Sequence, residues 1–264
     1  MDYTVGSVSY TNARPLVHAL AGKVKVELGV PSALPELLDS GEVQAILVSS
    51  FDALSTPGRT FAEGCSIGSL AAAESVRLFS MVPLSDVKSV ALDQSSMTSN
   101  NLALVLLAER YGVKPETETF PPNMGKMLKS HDACILIGDN GLAADGTGLD
   151  VMDLGQEWLD MTGLPFVWAL WVGREDLSEE LVSILNDARA WGQTHLDEII
   201  PDAMARSGWK EPVVRKYLGE TMNYDLTERH LEGLKLFRTL LIKHGLMKEI
   251  PFPRIVHGTP LTAV

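Results

Sequence analysis

The sequence predicts an α/β chain folded as two lobes around a ligand-binding cleft, and three observations carry that expectation. From Thr4 to Ile137, segments of strand character alternate with helical ones in a βαβ rhythm. Beyond residue 172 nearly everything reads as helix. Two extended apolar segments, Ser75–Pro83 and Gly163–Gly173, read as strands that leave the first lobe and return to it. The first lobe is then discontinuous, residues 1–80 and 172–264, with a second lobe of residues 81–171 inserted in it. At 264 residues the chain is long for one compact domain and short for two independent ones, which suits two lobes sharing a cleft.

Each element has a local reason. Thr4–Ser9 and Ala45–Val48 have the character and length of strands, and Lys23–Leu28 places Val24, Val26 and Leu28 at the period of a strand. A helix starts at Pro15, whose fixed φ suits a first helical turn, and another over Ser32–Ser40 is stopped by Gly41. Further strands are expected at Val76–Val82, Ser89–Leu92, Glu118–Phe120 and Ala133–Ile137, with helices near Ser99–Tyr111 and Asn123–Ser130 between them. The rhythm argues for largely parallel sheets. After the strand Phe166–Val172 come helices at Leu177–His195, Ile199–Ser207, Pro212–Leu218 and Thr227–His244. Two of these open with capping boxes, Asp176 with Glu179 and Asp225 with Glu228. There is no internal repeat or Pro/Ser-rich linker, so strands rather than a tether should join the lobes.

Composition narrows the function. Hydrophobic residues make up 45% and charged ones 21%, with no uncharged apolar run long enough to span a bilayer. A formal charge of -12 counts against nucleic acid and anionic lipid as partners. An anionic small molecule would need a local site, and a helix N-terminus with nearby hydroxyls can supply one. The opening MDYTVGSVSYTNARPL has neither a basic n-region nor an apolar h-region, so the expected location is the cytoplasm. Cys65 and Cys134 lie far apart in apolar surroundings and are expected as buried free thiols, in keeping with a reducing compartment.

Three loops carry candidate chemistry. SYTNARPL puts Ser9, Tyr10, Thr11 and Asn12 between the first strand and the Pro15 helix, where Asn12 or Thr11 reads equally as a helix cap or as a ligand contact. DQSSMTSNNLALVLL sets Ser95, Ser96, Thr98 and Ser99 between a strand and a long apolar helix, the composition of an anion socket and also of a serine-rich cap. CILIGDNGL ends a buried strand on Gly138 and Asp139, either a ligand-orienting carboxylate or a turn before Asn140-Gly141. GCSIG has the form of a nucleophile elbow at Ser66, but Arg59–Glu63 supplies no preceding hydrophobic strand. The six histidines show no metal-ligand spacing.

Taken in order, SYTNARPL, VPSALPELLDSGEVQAILVSS, SVRLFSMVPL, SSMTSNNLALVLL, ILIGDNGL, DLGQEWLDMTGLPFVWALW and YDLTERHLEGLKLF resemble the chorismate dehydratase family of the futalosine route to menaquinone. The resemblance spans nearly the whole chain. It implies a periplasmic-binding-protein type II fold used inside the cell, a carbon-oxygen lyase that turns chorismate into 3-enolpyruvylbenzoate and water, and no metal or organic cofactor. The sister dihydroxynaphthoate synthase of the same route shares the fold but typically opens with Pro-Cys-Pro-Asn, where this chain has SYTNARPL. A cytosolic carboxylate-binding protein or sensor of the same fold is the other alternative. The oligomeric state stays open, a homodimer included.

By the same resemblance Asn12 and Ser75 are the catalytic candidates, with Ser9, Tyr10, Ser49, Ser96, Thr98, Ser99, Asp139 and Phe166 as substrate contacts. Loss of the ring hydroxyl of chorismate with the proton on the adjacent ether-bearing carbon makes the ring aromatic, which supplies the driving force. Asn12 cannot act as a base at neutral pH, and the matching motifs hold no histidine. The expected proton acceptor is therefore the substrate's own enolpyruvyl carboxylate.

Overall fold

Alternating and apolar runs settle into strands and helices over residues 3–259, the part of the chain that the computed structural model describes. Met1 and Asp2, where the reading of the N-terminus begins, lie outside the described residues. In chain order the first elements are β1 Thr4–Ser7, α1 Arg14–Val17, β2 Lys25–Leu28, α2 Leu34–Ser40, β3 Ala45–Ser49, α3 Ser50–Ser55 and β4 Thr60–Ser69. There follow β5 Arg77–Ser80, β6 Ser89–Asp93, α4 Met97–Tyr111, β7 Glu116–Phe120, α5 Met124–Met127, β8 Ala133–Leu136, α6 Gly138–Ala143, β9 Asp150–Asp153 and α7 Leu154–Thr162. The last are β10 Phe166–Gly173, α8 Glu179–Thr194, α9 Leu196–Ser207, α10 Glu211–Lys216, β11 Asn223–Leu226, α11 Glu228–Lys243 and β12 Arg254–Val256.

The chain divides into two compact units, one of Met1–Gly68, Val167–Glu228 and Glu249–Val264, the other of Ser69–Phe166 and Arg229–Lys248. The sheet of the first unit has the order β11-β4-β10-β3-β1-β2, with β12 also pairing β4. β1 runs parallel to β2 and β3, as βαβ crossovers require. β10 runs antiparallel to β3, from Ala169 opposite Ser49 to Gly173 opposite Ala45, and β11 antiparallel to β4. The sheet of the second unit has the order β7-β6-β8-β5-β9, in which β6 is parallel to β7 and β8 while β5 is antiparallel to β8 and β9. Both sheets are thus mixed rather than largely parallel. The antiparallel strands β5 and β10 lie in the two segments read from sequence as crossings, and a strand that joins a sheet without a helical crossover is free to take either direction.

Every residue of β8, Ala133–Leu136, is buried, and Phe79, Met127, Cys134 and Leu136 pack into one core around it. A second cluster explains where the C-terminal helix goes. Phe237 on α11 meets Phe166 at 5.0 Å and Trp158 at 6.1 Å between ring centroids, both edge to face, and Trp158 meets Phe166 at 5.3 Å. Lys243 and His244 both reach Glu109 on α4. Each aromatic pair of this kind contributes about 0.5–1.5 kcal/mol beyond its burial, so residues 229–248 count with the second unit, not with the first lobe where the sequence reading had put them.

The elements that sequence reading left out have polar or interrupted patterns. β4 begins at Thr60, just after Arg59, with an exposed Glu63 and a φ of 81° at Gly64 that breaks the alternation, so a strand does precede GCSIG. β9 is half exposed, at Asp150 and Val151. The two expected capping boxes are also replaced. Ser178 caps α8 by accepting from the Leu181 N–H, while Asp176 pairs with Arg174, and Asp225 lies in β11, where it pairs with Arg189. Both cysteines are free and buried, and burial pushes each thiol up to about 12.

Candidate functional site

In the first unit the site begins where β1 ends. After Ser7 the chain passes an exposed Ser9 and a half-buried, extended Tyr10 into a single 3-10 turn, Thr11–Ala13, that feeds α1. Neither Thr11 nor Asn12 occupies a cap position, because Tyr10 precedes the 3-10 turn and Ala13 precedes α1, and neither of these makes a side-chain cap bond. The capping reading of Asn12 therefore falls. Its Oδ1 is buried and accepts no hydrogen bond from any described residue. Buried amide oxygens are nearly always satisfied, so an orphan at a strand end marks a place where a ligand donor would be gained.

The turn stands on a packed floor. Gly192 of α8 lies so close to α1 that a Cβ there would sit 1.9 Å from the Pro15 carbonyl oxygen. His18, Trp191 and His195 form a parallel stack, with centroids 5.4 Å and 4.4 Å apart. Arg14 pairs with Asp202 of α9 at 2.5 Å, and burial depresses the guanidinium while Asp202 supports it. Ser49, by contrast, is a cap: its hydroxyl accepts from the Asp52 N–H at 3.2 Å and starts α3.

In the second unit the parallel strands β6 and β8 end side by side. Ser96 caps α4, accepting from the Ser99 N–H at 3.2 Å, and Thr98 and Ser99 are buried in the first turn. Asn100 ties that turn to the strand end, donating to the Asp93 carbonyl at 2.8 Å and accepting from its N–H at 3.2 Å. Asp93 was not anticipated from sequence. It is 0% exposed, its Oδ1 accepts from the Ser95 N–H at 2.9 Å and from the Ser95 hydroxyl, and its Oδ2 has no hydrogen-bond partner among the described residues. Burial raises its pKa above the usual carboxylate value, against the pull of Ser95 and the Ile137 backbone. The only hint in sequence is an acid two residues before a run of hydroxyl residues at a strand end.

β8 leads into α6, so Asp139 stands in the first turn of a short helix, not in the turn that Asp-Asn-Gly suggested. Ser75 is fully buried, and its carbonyl oxygen lies against Gly141, where a Cβ would come within 2.1 Å. Arg77 holds the end of α6, donating through Nε to the Gly141 carbonyl at 3.0 Å and through Nη2 to that of Ala144 at 3.0 Å. The second unit thus brings Ser75 and the helix of Asp139 together, and the Ile137 backbone at its start reaches Asp93 beneath the hydroxyl loop. Phe166 belongs to the aromatic core at 2% exposure. Ser66 lies buried inside β4 and donates to the Asp225 carbonyl at 3.0 Å, which commits its hydroxyl to the sheet. Among the described residues no group of three His, Cys, Asp or Glu is placed to hold a metal ion, and no helix is long and apolar enough to cross a membrane.

A chorismate dehydratase of Thermus thermophilus is 32% identical to this chain over 260 residues, covering 90% of this chain and 95% of that protein. Among solved structures, a protein of Archaeoglobus fulgidus gives a TM-score of 0.73 at 19% identity, covering 93% of this chain and 98% of its own. The periplasmic aliphatic sulphonate binding protein of Escherichia coli gives 0.68 at 16% identity, over 100% of this chain and 96% of its own. The fold is that of the periplasmic binding proteins, as the resemblance implied. The profile of the menaquinone biosynthesis family matches residues 3–243, and with the Thermus relative it shows that the chain belongs to that family.

Proposed function

We propose that this chain is a chorismate dehydratase of the cytoplasm, a carbon-oxygen lyase that forms 3-enolpyruvylbenzoate and water. The observation that carries the reading is the identity with a chorismate dehydratase along 95% of that protein's length. The orphaned Asn12 Oδ1 and the hydroxyl loop around Ser96 support it locally.

In the reaction the bond from the ring to its hydroxyl breaks, the adjacent ether-bearing carbon gives up its proton, and the electron pair left behind completes the aromatic ring. The hydroxide and the proton leave together as water. Asn12 Oδ1 can accept from the ring hydroxyl of chorismate, the one hydroxyl that the substrate carries, and hold it in line for departure. Ser96, Thr98 and Ser99 stand at the N-terminus of the fifteen-residue α4, whose dipole favours a carboxylate. Ser75 joins them as a substrate-handling hydroxyl. Asp93 is the described acid nearest that loop, but its burial and its bond to Ser95 make it support for the loop instead of the base. The substrate's own enolpyruvyl carboxylate then takes the proton from the ring carbon and passes it to the departing hydroxyl, so that water leaves and the carboxylate is regenerated, and the protein fixes the conformation in which it can.

Incubating the purified protein with chorismate and following 3-enolpyruvylbenzoate by mass tests the proposal. The likeness to a sulphonate-binding protein favours one rival, a module that returns its ligand unchanged. Chorismate that stays intact yet raises the melting temperature would establish that rival instead.

A further inference from the structure

The Asp153 carboxylate does more than start a helix. Its Oδ1 accepts from the N–H groups of Gly155 at 3.0 Å and Gln156 at 3.1 Å, an ordinary N-cap for α7. The same oxygen also accepts from the Ala73 N–H at 2.9 Å, and Oδ2 accepts from the Glu74 N–H at 2.7 Å. Capping needs one oxygen. The second serves only the segment that leads into Ser75.

That segment is held in a form it would not adopt alone. Glu74 has a φ of 58°, the left-handed region that costs a residue with a side chain about 1–3 kcal/mol unless its surroundings impose it. The Ser75 N–H turns back to the Ala73 carbonyl at 2.6 Å. On one side the segment lies against the start of α7, where a Cβ at Gly155 would fall 2.5 Å from the Ala71 carbonyl oxygen. On the other side the Ser75 carbonyl lies against Gly141 of α6. The Asp153 fork supplies the side-chain bonds to the two N–H groups immediately before Ser75.

We propose that Asp153 is a positioning residue for Ser75, acting through the backbone N–H groups of Ala73 and Glu74. The inference rests on the reading of Ser75 as a residue that handles the substrate. Asp153→Asn isolates the positioning bond, because asparagine keeps the capping oxygen and turns an NH2 group against the Glu74 N–H. A merely structural role predicts a lower melting temperature and unchanged kinetics. The positioning role predicts the reverse: a melting temperature within about 3 °C of the parent and kcat/KM on chorismate lower by about tenfold or more.

The deciding experiment is a double-mutant cycle with Ser75→Ala. If Asp153 acts through Ser75, Asp153→Asn should change kcat/KM by less than about threefold once Ser75 is already alanine. Parent-like kinetics of Asp153→Asn beside an impaired Ser75→Ala would overturn the positioning role alone, and so would fully additive losses. Parent-like turnover of Ser75→Ala would overturn the role of Ser75 and the inference with it. Should Asp153→Asn fail to fold, Asp153→Ser takes its place in the cycle, since serine caps the helix but offers nothing to Glu74.

Discussion

Replacing Gly192 with alanine sets two ordinary rules against each other at the floor of the Asn12 turn. Gly192 lies within α8, where alanine is the better helix former by about 1 kcal/mol. The added methyl, however, would lie 1.9 Å from the Pro15 carbonyl oxygen and 2.7 Å from its carbon, against a normal carbon–oxygen separation of about 3.3 Å. Backbone is the obstacle, so no side-chain rotation relieves it. α1 must move by roughly an ångström, and overpacking of this kind costs about 1–3 kcal/mol. Against backbone the clash outweighs the propensity, and the net loss of up to about 2 kcal/mol should lower the melting temperature by up to about 8 °C for a chain of this size. Asn12 lies three residues before Pro15 and moves with it, so turnover of chorismate should fall further than stability does, by up to about a hundredfold. Differential scanning calorimetry with a product assay on the same preparation measures both. A raised melting temperature with parent turnover would refute the argument, since it would mean that α1 yields freely and that Asn12 does not depend on its floor.

Asn12→Ala should leave thermal stability nearly unchanged, because its Oδ1 makes no hydrogen bond in the fold and no cap is lost, while turnover falls by about 10²–10³; turnover near that of the parent would remove Asn12 from the site. Thr98→Asp sets a carboxylate in a buried first turn, so its melting temperature should fall, and the protein that remains folded should lose chorismate binding in a calorimetric titration, whereas Thr98→Ala should weaken binding by only about 0.5–1.5 kcal/mol. Asp93→Asn should change the pH dependence of stability. Burial raises the Asp93 carboxyl above its ordinary 3.8, so the stability it contributes is complete below that value and is lost as pH rises through the raised one. The melting temperature of the parent minus that of Asp93→Asn should therefore fall from acid toward neutral pH and then level off, with the similar shift at Asp52 common to both proteins and cancelling. A difference that does not vary with pH would show that Asp93 titrates in the fold as it does in an unfolded chain.

Legibility in the sequence followed the strength of the local signal. β1, β3, β6 and β8 were found because their apolar runs are long enough to bury, and α4 because a hydroxyl cap precedes it and Gly112 closes it. β4 was missed because Gly64 and Glu63 interrupt its alternation, and its length comes from tertiary pairing with β11 and β12. The placement of 229–248 could not be read from α11 itself, which is an ordinary amphipathic helix; it depends on Phe237 finding Trp158 and Phe166. Within the site, the loops were legible and their supports were not. SYTNARPL and SSMTSN stand out by composition, but Asp153 and Gly192 act on residues far along the chain or through a close approach that no local pattern encodes, and Asp93, although it binds Ser95 only two residues on, is buried by the fold alone.

The two meanings that the hydroxyl loop held in sequence, helix cap and anion site, turn out not to compete. A helix start leaves about four N–H groups without partners in the helix. Ser96 takes one of them, that of Ser99, and in doing so fixes the first turn of α4. Asn100 then locks that turn to the end of β6 through two bonds to the Asp93 backbone, and Ser95 is held by the Asp93 carboxylate. In the proposed reading the cap lowers the ordering cost that a carboxylate would otherwise meet on binding, since the loop is ordered before a ligand arrives. Asp93 serves the same end, because its Oδ1 accepts from both the Ser95 N–H and the Ser95 hydroxyl and so holds the loop in place. Removing the cap with Ser96→Ala should therefore weaken chorismate binding even if Ser96 never touches the ligand, because the loop would have to be ordered at the moment of binding.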